Sequence, residues 1–269
     1  MSRISKTFKR LQKEGKKALI PFITAGDPNL AVTEKLIDTL EEAGADIIEL
    51  GVPFSDPMAD GPVIQKASER ALKKGTTLLQ ILSLVKRVRK KTRIPILLMG
   101  YYNPVFVMGE ENLSARAREA GVDAVLVVDL PPEESGGLRR ALKKNKIDLI
   151  HLLAPTSDKE RIVKATKGAS GFIYYVSLTG VTGAKLKITA SGAPAAEISD
   201  QLKLIRRYTQ LPLAVGFGIS RPEEAARVAD IADGVVVGSA LVKIIGSTGK
   251  SPSLLPKVSR FVSSLRKVL

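Results

Sequence analysis

The sequence predicts a single α/β domain, a (β/α)8 barrel with an extra N-terminal helix and enlarged loops after strands 2 and 6. Eight short apolar runs rich in β-branched residues alternate with longer segments of helical periodicity, which is typical of a parallel sheet covered by helices. Eight repeats favour a closed barrel over an open sheet, and 269 residues suit a fold of roughly 250 residues. We therefore expect one domain spanning residues 1–269.

The candidate strands begin near residues 18, 46, 95, 124, 149, 172, 212 and 234. Their sequences are ALIPFI, DIIEL, PILLM, AVLVV, LIHLLA, FIYYVS, PLAVGF and GVVVG. The second unit also contains GVPFSDPMADGPVIQ and an additional helix, and the sixth contains SLTGVTGAKLKITASGAPAAE. Because the loops after the strands build the active site of such a barrel, we expect both long loops at its mouth.

Segments with an apolar residue every three or four positions separate the strands and predict helices. They are LAVTEKLIDTLEEAG, LLQILSLVKRVRK, SARAREAG, LRRALKKN, DKERIVKATKG, ISDQLKLIRRY and PEEAARVADIADG. Before the first strand, Ile4, Phe8 and Leu11 have helical spacing and predict a short amphipathic helix that covers one end of the domain. The basic start resembles a secretory signal, but its apolar stretch is short and is broken by Pro21.

The composition excludes several classes of protein and of site. No apolar run approaches the roughly 20 residues that cross a bilayer, so we expect no membrane association. Without cysteine the chain has no disulfide, thiolate nucleophile or cysteine-bound metal, and a reducing compartment such as the cytoplasm is expected. Its one histidine, His151, rules out a multi-histidine zinc site and lies in LIHLLA, where a core role is favoured over catalysis. The candidate strands hold no lysine for a Schiff base, and no acidic cluster demands a metal.

The net charge of +15 raises the hypothesis of a nucleic-acid partner. The densest basic groups, residues 86–93 and 139–146, lie late in predicted helices, where cations suit the negative end of the helix dipole and face water. Neither group contains an interleaved aromatic residue on which bases could stack. The pattern favours a solvated basic surface, and we expect no nucleic acid as partner.

Two carboxylates, Glu49 and Asp60, are candidates for acid–base chemistry. Glu49 lies in the apolar run DIIEL near the end of strand 2, where loss of water would raise its pKa towards the range in which it both donates and accepts a proton. The alternative is a buried glutamate paired with a basic residue or with the backbone. Asp56 and Asp60 lie in the following loop, FSDPMADGP, where an isolated aspartate usually caps a turn. A strand end and its loop that both supply acids make paired acid–base chemistry plausible.

Three glycine-rich segments suggest a phosphate site: GVTGA from Gly180, GFGIS from Gly216 and GSA from Gly238. Each alone is more readily explained as a tight turn. Together they follow strands 6, 7 and 8, where barrel phosphate sites recur, and Gly238 leads into a helical segment whose amides suit an anion. Eight of the twelve aromatic residues lie within or just beyond the strands, and those near the mouth provide walls for a flat apolar ring. We expect a phosphorylated small-molecule substrate.

Seven segments together resemble the tryptophan synthase alpha chain family, from about Pro21 to Lys243 in unbroken order. They are PFITAGDPN, ELGVPFSDPMADGPVIQKAS, MGYYNPV, VVDLPPEE, YYVSLTGVTGA, GFGIS and GSALVK. The resemblance implies cleavage of indole-3-glycerol phosphate to indole and glyceraldehyde 3-phosphate, followed by transfer of indole to a beta chain for condensation with serine. It further implies an alpha2-beta2 tetramer, with no cofactor in this chain and pyridoxal phosphate in the beta chain.

The same resemblance implies roles for individual residues. Glu49 would move protons at indole C3 and at the glycerol hydroxyl, and Asp60 would stabilise positive charge at the indole N–H. The residues implied to contact the rest of the substrate are Phe22, Tyr101, Tyr174, Thr182 and Phe217. Those implied around the phosphate are Gly183, Gly218, Gly238 and Ser239. Those implied to face the beta chain are Pro53, Asp56 and Asn103.

Two other functions remain open on the sequence alone. One is a freestanding lyase that releases indole without a beta chain. The other is a regulatory subunit that binds phosphate compounds without turnover, against which the presence of both Glu49 and Asp60 argues.

Overall fold

A closed barrel of eight parallel strands confirms the predicted fold. The computed structural model describes residues 1–176, 193–216 and 218–269. The strands are β1 (Ala18–Thr24), β2 (Ile48–Gly51), β3 (Ile96–Gly100), β4 (Ala124–Val127), β5 (Asp148–Leu153), β6 (Ile173–Val176), β7 (Leu213–Gly216) and β8 (Gly234–Val237). Each begins within two residues of the predicted start, and β8 closes the barrel by pairing with β1.

The described helices cover the outside of the barrel and one end of it. They are α1 (Arg3–Lys13), α2 (Leu30–Glu42), α3 (Pro62–Leu72), α4 (Leu78–Val88), α5 (Tyr102–Met108), α6 (Glu110–Ala120), α7 (Gly136–Lys144), α8 (Lys159–Gly168), α9 (Ala193–Arg206), α10 (Pro222–Ala229), α11 (Ser239–Thr248) and α12 (Leu254–Arg266). Two of these, α5 and α12, were not predicted from the sequence. No helix in the described part of the chain is long and apolar enough to span a membrane.

The strands alternate between two apolar clusters because successive side chains of a strand point to opposite faces. On β1, Ala18 and Ile20 belong to the cluster inside the barrel, whereas Leu19 and Ile23 belong to the larger cluster between strands and helices. This alternation decides which strand residues can reach the mouth of the barrel from within.

The extra N-terminal helix is confirmed, and it closes the barrel at the amino ends of the strands. Its buried residues are the three that the spacing predicted, Ile4, Phe8 and Leu11. The Ser2 hydroxyl caps the helix by accepting a hydrogen bond from the Ser5 N–H. The chemistry expected at the carboxyl ends is therefore at the opposite end of the molecule.

His151 is a core residue, as the sequence favoured. It is buried on β5, and its Nε2 atom has no hydrogen-bond partner among the described residues. Burial, together with the nearby positive charges of Arg139 and Arg161, lowers the pKa of His151 to about 4. The imidazole is therefore neutral at physiological pH.

The two long loops differ in how much of them the structure describes. Between β2 and α3 lies loop 2, residues 52–61, which is described throughout. The segment after β6, residues 177–192, lies outside the described residues, as does residue 217. The predictions for Thr182, Gly183 and Phe217 therefore concern positions that the structure does not describe.

Candidate active site

Glu49 projects into the barrel from the second position of β2. Its neighbours Ile48 and Leu50 point outwards into the larger apolar cluster, so the strand alternation turns Glu49 inwards. The residue is 1% exposed, and neither carboxylate oxygen has a hydrogen-bond partner among the described residues. A buried carboxylate normally has a partner, so the alternative of a structural pair with a basic residue or the backbone finds no support in the described part of the chain.

The two candidate carboxylates have different proton affinities. Burial, and secondarily the nearby charge of Asp60, raises the pKa of Glu49 to about 8. Burial also raises the pKa of Asp60, to about 6, while a hydrogen bond from Tyr101 acts in the opposite direction. At neutral pH Glu49 therefore holds its proton and Asp60 is mostly ionised, which is the separation that paired acid–base chemistry requires.

Tyr101 connects Asp60 to the end of β3. Its hydroxyl donates a hydrogen bond to Asp60 Oδ2 over 3.1 Å and accepts one from the Ala59 N–H over 3.0 Å. The ring of Phe54 stacks on that of Tyr101, with 5.1 Å between the ring centroids. Tyr101 was expected to contact substrate, and in this structure it also fixes two residues of loop 2.

Two glycines at strand ends make room for aromatic rings of the site. A Cβ atom on Gly51 would lie 2.5 Å from the ring of Phe22, and one on Gly216 would lie 2.6 Å from the hydroxyl of Tyr174. Any larger residue at either position would displace the ring. Gly51 was not predicted as a site residue and Gly216 was assigned to a phosphate signal, although a glycine that ends an apolar run is a recognisable sign of close approach.

A pocket of about 240 Å³ opens beside Asp60. It is lined by Phe22, Thr24, Gly51, Val52, Asp60, Ile64, Ser68, Met99, Gly100 and Tyr101. Most of the lining is apolar, and the negative charge of Asp60 lies at one side, which suits a flat ring that carries an N–H group. The buried hydroxyl of Thr24, a residue not predicted from the sequence, has no partner among the described residues.

Of the predicted phosphate residues, Gly218, Gly238 and Ser239 lie just beyond the ends of β7 and β8, which are neighbours in the barrel. Gly238 immediately precedes α11, whose first residue is Ser239, and the Gly238 carbonyl accepts the helical bond from Val242. A Cβ atom on Gly238 would lie 3.7 Å from Phe22, so this helix start borders the pocket wall. Gly218 has a φ of +51°, which favours glycine. The amino end of α11 is thus positioned to attract an anion.

The predicted partner-facing residues separate into two groups. Asp56 and Asn103 are exposed, whereas Pro53 is buried in the isolated chain. The burial of Pro53 follows from its place directly beyond β2, where the chain is still packed against its own core. Close to the exposed pair in sequence, Met58 and Val107 are 88% and 78% exposed, an unusual degree for apolar side chains.

Within residues 1–176, 193–216 and 218–269, no group of three or more histidine, cysteine, aspartate or glutamate side chains could hold a metal ion. Asp60 lines the pocket, and Glu49 is close enough for the charge of Asp60 to raise its pKa, so these two carboxyl groups can transfer a proton and stabilise positive charge.

Comparison with known proteins gives a consistent result over the whole chain. The family model described as tryptophan synthase alpha chain matches residues 8–267. The tryptophan synthase alpha chain of Geobacter sp. (strain M21) is 55% identical over 99% of this chain and 97% of its own length. That of Geobacter sulfurreducens is 54% identical over 100% of this chain and 99% of its own length.

Solved structures agree with the sequence relatives. The crystal structure of tryptophan synthase subunit alpha from Legionella pneumophila str. Paris superposes with a TM-score of 0.90 at 42% identity, covering 100% of this chain and 98% of that one. A chain of the tryptophan synthase complex from Pyrococcus furiosus superposes with a TM-score of 0.82 at 38% identity, covering 92% and 97%.

Alpha chains of this kind cleave indole-3-glycerol phosphate in tryptophan biosynthesis and work together with a beta chain. They carry no cofactor, because pyridoxal phosphate belongs to the beta chain. With the family model spanning nearly the whole chain and relatives above half identity, this chain belongs to the tryptophan synthase alpha chain family.

Proposed function

We propose that Glu49 and Asp60 form the catalytic pair that cleaves indole-3-glycerol phosphate in this chain. The observation that carries the proposal is Glu49 itself, buried inside the barrel with two unpartnered carboxylate oxygens among the described residues and a pKa raised to about 8. A carboxyl group kept neutral in this way can donate a proton at physiological pH.

Protonated Glu49 donates its proton to indole C3, and the positive charge that results on the ring nitrogen is stabilised by ionised Asp60. The bond between C3 and the glycerol carbon then breaks, and its electron pair returns to the ring to restore indole. The Glu49 carboxylate accepts the proton of the hydroxyl on that carbon, which becomes the aldehyde of glyceraldehyde 3-phosphate. Glu49 thereby recovers the proton it gave, so neither a metal nor an imine is needed.

The phosphate is proposed to bind at the ends of β7 and β8. Gly218, Gly238 and Ser239 would offer backbone amides, and the amino end of α11 would supply positive potential. Gly183 would complete the phosphate site, and Thr182 and Phe217 would contact the remainder of the substrate. Phe22, Tyr101 and Tyr174 would enclose the indole and glycerol portions.

The beta chain is proposed to cover loop 2 and α5. This surface carries the predicted contact residues Asp56 and Asn103 together with exposed apolar side chains, and exposed apolar patches mark interaction sites. The exposed apolar side chains are Met58, Phe106 and Val107. Because loop 2 also carries Asp60, a partner bound there would adjoin the pocket. We further propose a cytoplasmic location, since a chain without cysteine suits a reducing compartment.

Replacement of Glu49 by glutamine tests the proposal. Glu49→Gln keeps the size of the side chain and removes the proton, so indole release from indole-3-glycerol phosphate should fall by about a thousandfold or more. The dissociation constant of an analogue that lacks the reacting hydroxyl, measured by calorimetry, should change little. Glu42→Gln, an exposed position on α2, is the matched control and should behave as the wild type. Near-normal turnover by Glu49→Gln would remove Glu49 from the mechanism.

A further inference from the structure

Asp60 lies on a loop, yet its proposed role requires a fixed position. Loop 2 connects β2 to α3, and Asp60 is its penultimate residue. Within the loop, the Asp60 N–H donates to the Pro57 carbonyl over 3.0 Å and so closes a turn. A displacement of about 1 Å of a catalytic group can cost a hundredfold in rate, so the contacts that fix this turn matter for catalysis.

Gln65 holds the turn at both ends. From α3, its Nε2 atom donates a hydrogen bond to the Asp60 carbonyl over 2.9 Å and a longer one to the Pro57 carbonyl over 3.4 Å. Since both acceptors are carbonyl oxygens, the amide must present its nitrogen to the loop. The Gln65 side chain is half-buried, and both of these hydrogen bonds run from α3 to loop 2.

The helix that carries Gln65 is firmly anchored to the barrel. Arg70, further along α3, makes a two-pronged ion pair with the buried Asp27, with Nε to Oδ1 at 2.8 Å and Nη2 to Oδ2 at 2.7 Å. Asp27 follows β1, so the pair ties α3 to a neighbouring strand end. On the other side, Gly246 of α11 approaches the Arg70 guanidinium so closely that a Cβ atom there would lie 2.7 Å from Nη2. A rigid element therefore positions the Gln65 amide.

We propose that Gln65 is a positioning residue that fixes loop 2 from α3 and holds Asp60 at the pocket before a beta chain binds. The inference rests on the proposed role of Asp60 and adds a second point of attachment to that of Tyr101. Tyr101 holds the carboxylate and the preceding N–H, whereas Gln65 holds the main-chain carbonyl of the same residue. With both in place, Asp60 is oriented in the isolated chain.

Gln65→Met removes the donor and keeps the length of the side chain. We expect kcat of the isolated chain for indole release to fall about tenfold or more, with less than about a twofold change in binding of the unreactive analogue. Addition of a beta chain, which would cover loop 2, should restore part of the loss, so the activation factor should exceed that of the wild type. Gln80→Met is the matched control, because the Gln80 amide likewise bonds to the backbone, although there its oxygen accepts a hydrogen bond from the Thr77 N–H in the capping box of α4.

The pH profile provides a readout that general loosening of the fold would not move. The groups that face Asp60 are Glu49 on β2, Tyr101 after β3 and Tyr174 on β6, and among them the Tyr101 hydroxyl favours the ionised form. If Asp60 drifts away from Tyr101 its pKa rises, so the acid limb of kcat/KM should move to higher pH in Gln65→Met, as it should in Tyr101→Phe.

Amide hydrogen exchange keeps the inference testable if activity is lost for another reason. In Gln65→Met and in Gln65→Glu, whose carboxylate cannot donate to the two carbonyls, amides of loop 2 should exchange faster while those of the strands are unchanged. Wild-type kcat, an unmoved acid limb or unchanged exchange in loop 2 would overturn the role of Gln65. These results are distinct from failure of the proposed role of Asp60, which would show as wild-type kinetics in Asp60→Asn.

Discussion

At the scale of single residues, the site depends on a glutamate that the fold does not pair. The described structure leaves both Glu49 oxygens without a hydrogen bond, and this costs stability whenever the group is ionised. The same isolation keeps the proton on Glu49 at neutral pH. The unpartnered carboxyl group therefore lowers the stability of the fold but keeps a proton that it can donate, a compromise that is common at active sites.

The raised pKa of Glu49 predicts how the stability of the chain depends on pH. Between the ordinary pKa of 4.5 and the folded pKa of about 8, the folded chain keeps the Glu49 proton and the unfolded chain releases it. The unfolded state then binds fewer protons, so this group lowers the free energy of unfolding as pH rises through that window. In Glu49→Gln the contribution is absent, and the variant should gain on the order of 2–4 kcal/mol relative to wild type between pH 5 and pH 8. Urea unfolding at several pH values measures this, and a pH-independent difference would refute the account.

Which residues form the candidate site was partly predictable from the sequence. Glu49 stood out because a carboxylate is rare in a buried strand, and Asp60 because it follows the same strand in a loop of shaped turns. Thr24 gave no comparable signal, since a threonine at a strand end is ordinary. Gly51 ends an apolar run, which suggests close approach by another group but does not show that the group is the ring of Phe22. Pro53 was expected at a partner surface; it is buried in the isolated chain, and its contact with a partner stays a prediction. The side-chain bond of Gln65 could not be predicted, because it depends on the path of loop 2.

At the scale of elements, α1 closes the end of the barrel away from the pocket. Phe8 is buried against Phe172, with ring centroids 5.6 Å apart. Two ion pairs fasten the helix, Arg3 with Asp123 at 2.8 Å and Arg10 with Asp46 at 3.0 Å. Asp46 also accepts a hydrogen bond from the N–H of a β1 residue, and so joins the helix to the start of the sheet.

Phe8→Ala should therefore destabilise the chain without harming the reaction. Removal of a buried phenylalanine costs about 3–5 kcal/mol of unfolding free energy, which denaturant titration would detect. At temperatures where the variant is folded, kcat/KM should stay within about twofold of wild type. Lys9→Ala, at the exposed neighbouring position, controls for loss of helix surface. A large loss of activity in folded Phe8→Ala would show that the closed end communicates with the pocket.

The strands and helices themselves were mostly predictable, because the sequence contains apolar runs of strand length and apolar residues at helical spacing. The α12 pattern was also present, since its buried residues Leu254, Val258, Val262 and Leu265 have helical spacing. The short α5 gave a poor signal because its sequence YNPVFVM is rich in β-branched and aromatic residues and contains a proline. Its position directly after β3 makes it part of the barrel mouth, where local propensity is commonly overridden by tertiary structure.

At the scale of the whole molecule, one end of the barrel contributes to stability and the other carries the candidate active site. The amino ends of the strands are covered by α1 and joined by arginine–aspartate pairs, and the carboxyl ends carry the two acids and the start of α11. We propose that residues 1–269 act as one domain. The last helix, α12, packs on α2 near the start of the chain and on α11, so both ends of the chain belong to the same packed structure. The basic residues counted in the net charge of +15 include many in the last turns of helices, where they face the negative end of the helix dipole.

The most direct measurement is the rate of indole release from indole-3-glycerol phosphate by the purified chain between pH 5 and pH 9, with and without a tryptophan synthase beta chain. The account predicts a bell-shaped kcat/KM profile, with an acid limb near 6 where Asp60 ionises and a basic limb near 8 where Glu49 loses its proton. It also predicts that the beta chain accelerates a slow basal reaction and that Glu49→Gln is inactive at every pH. Absence of indole under all conditions, or a rate that does not change across this pH range, would contradict it.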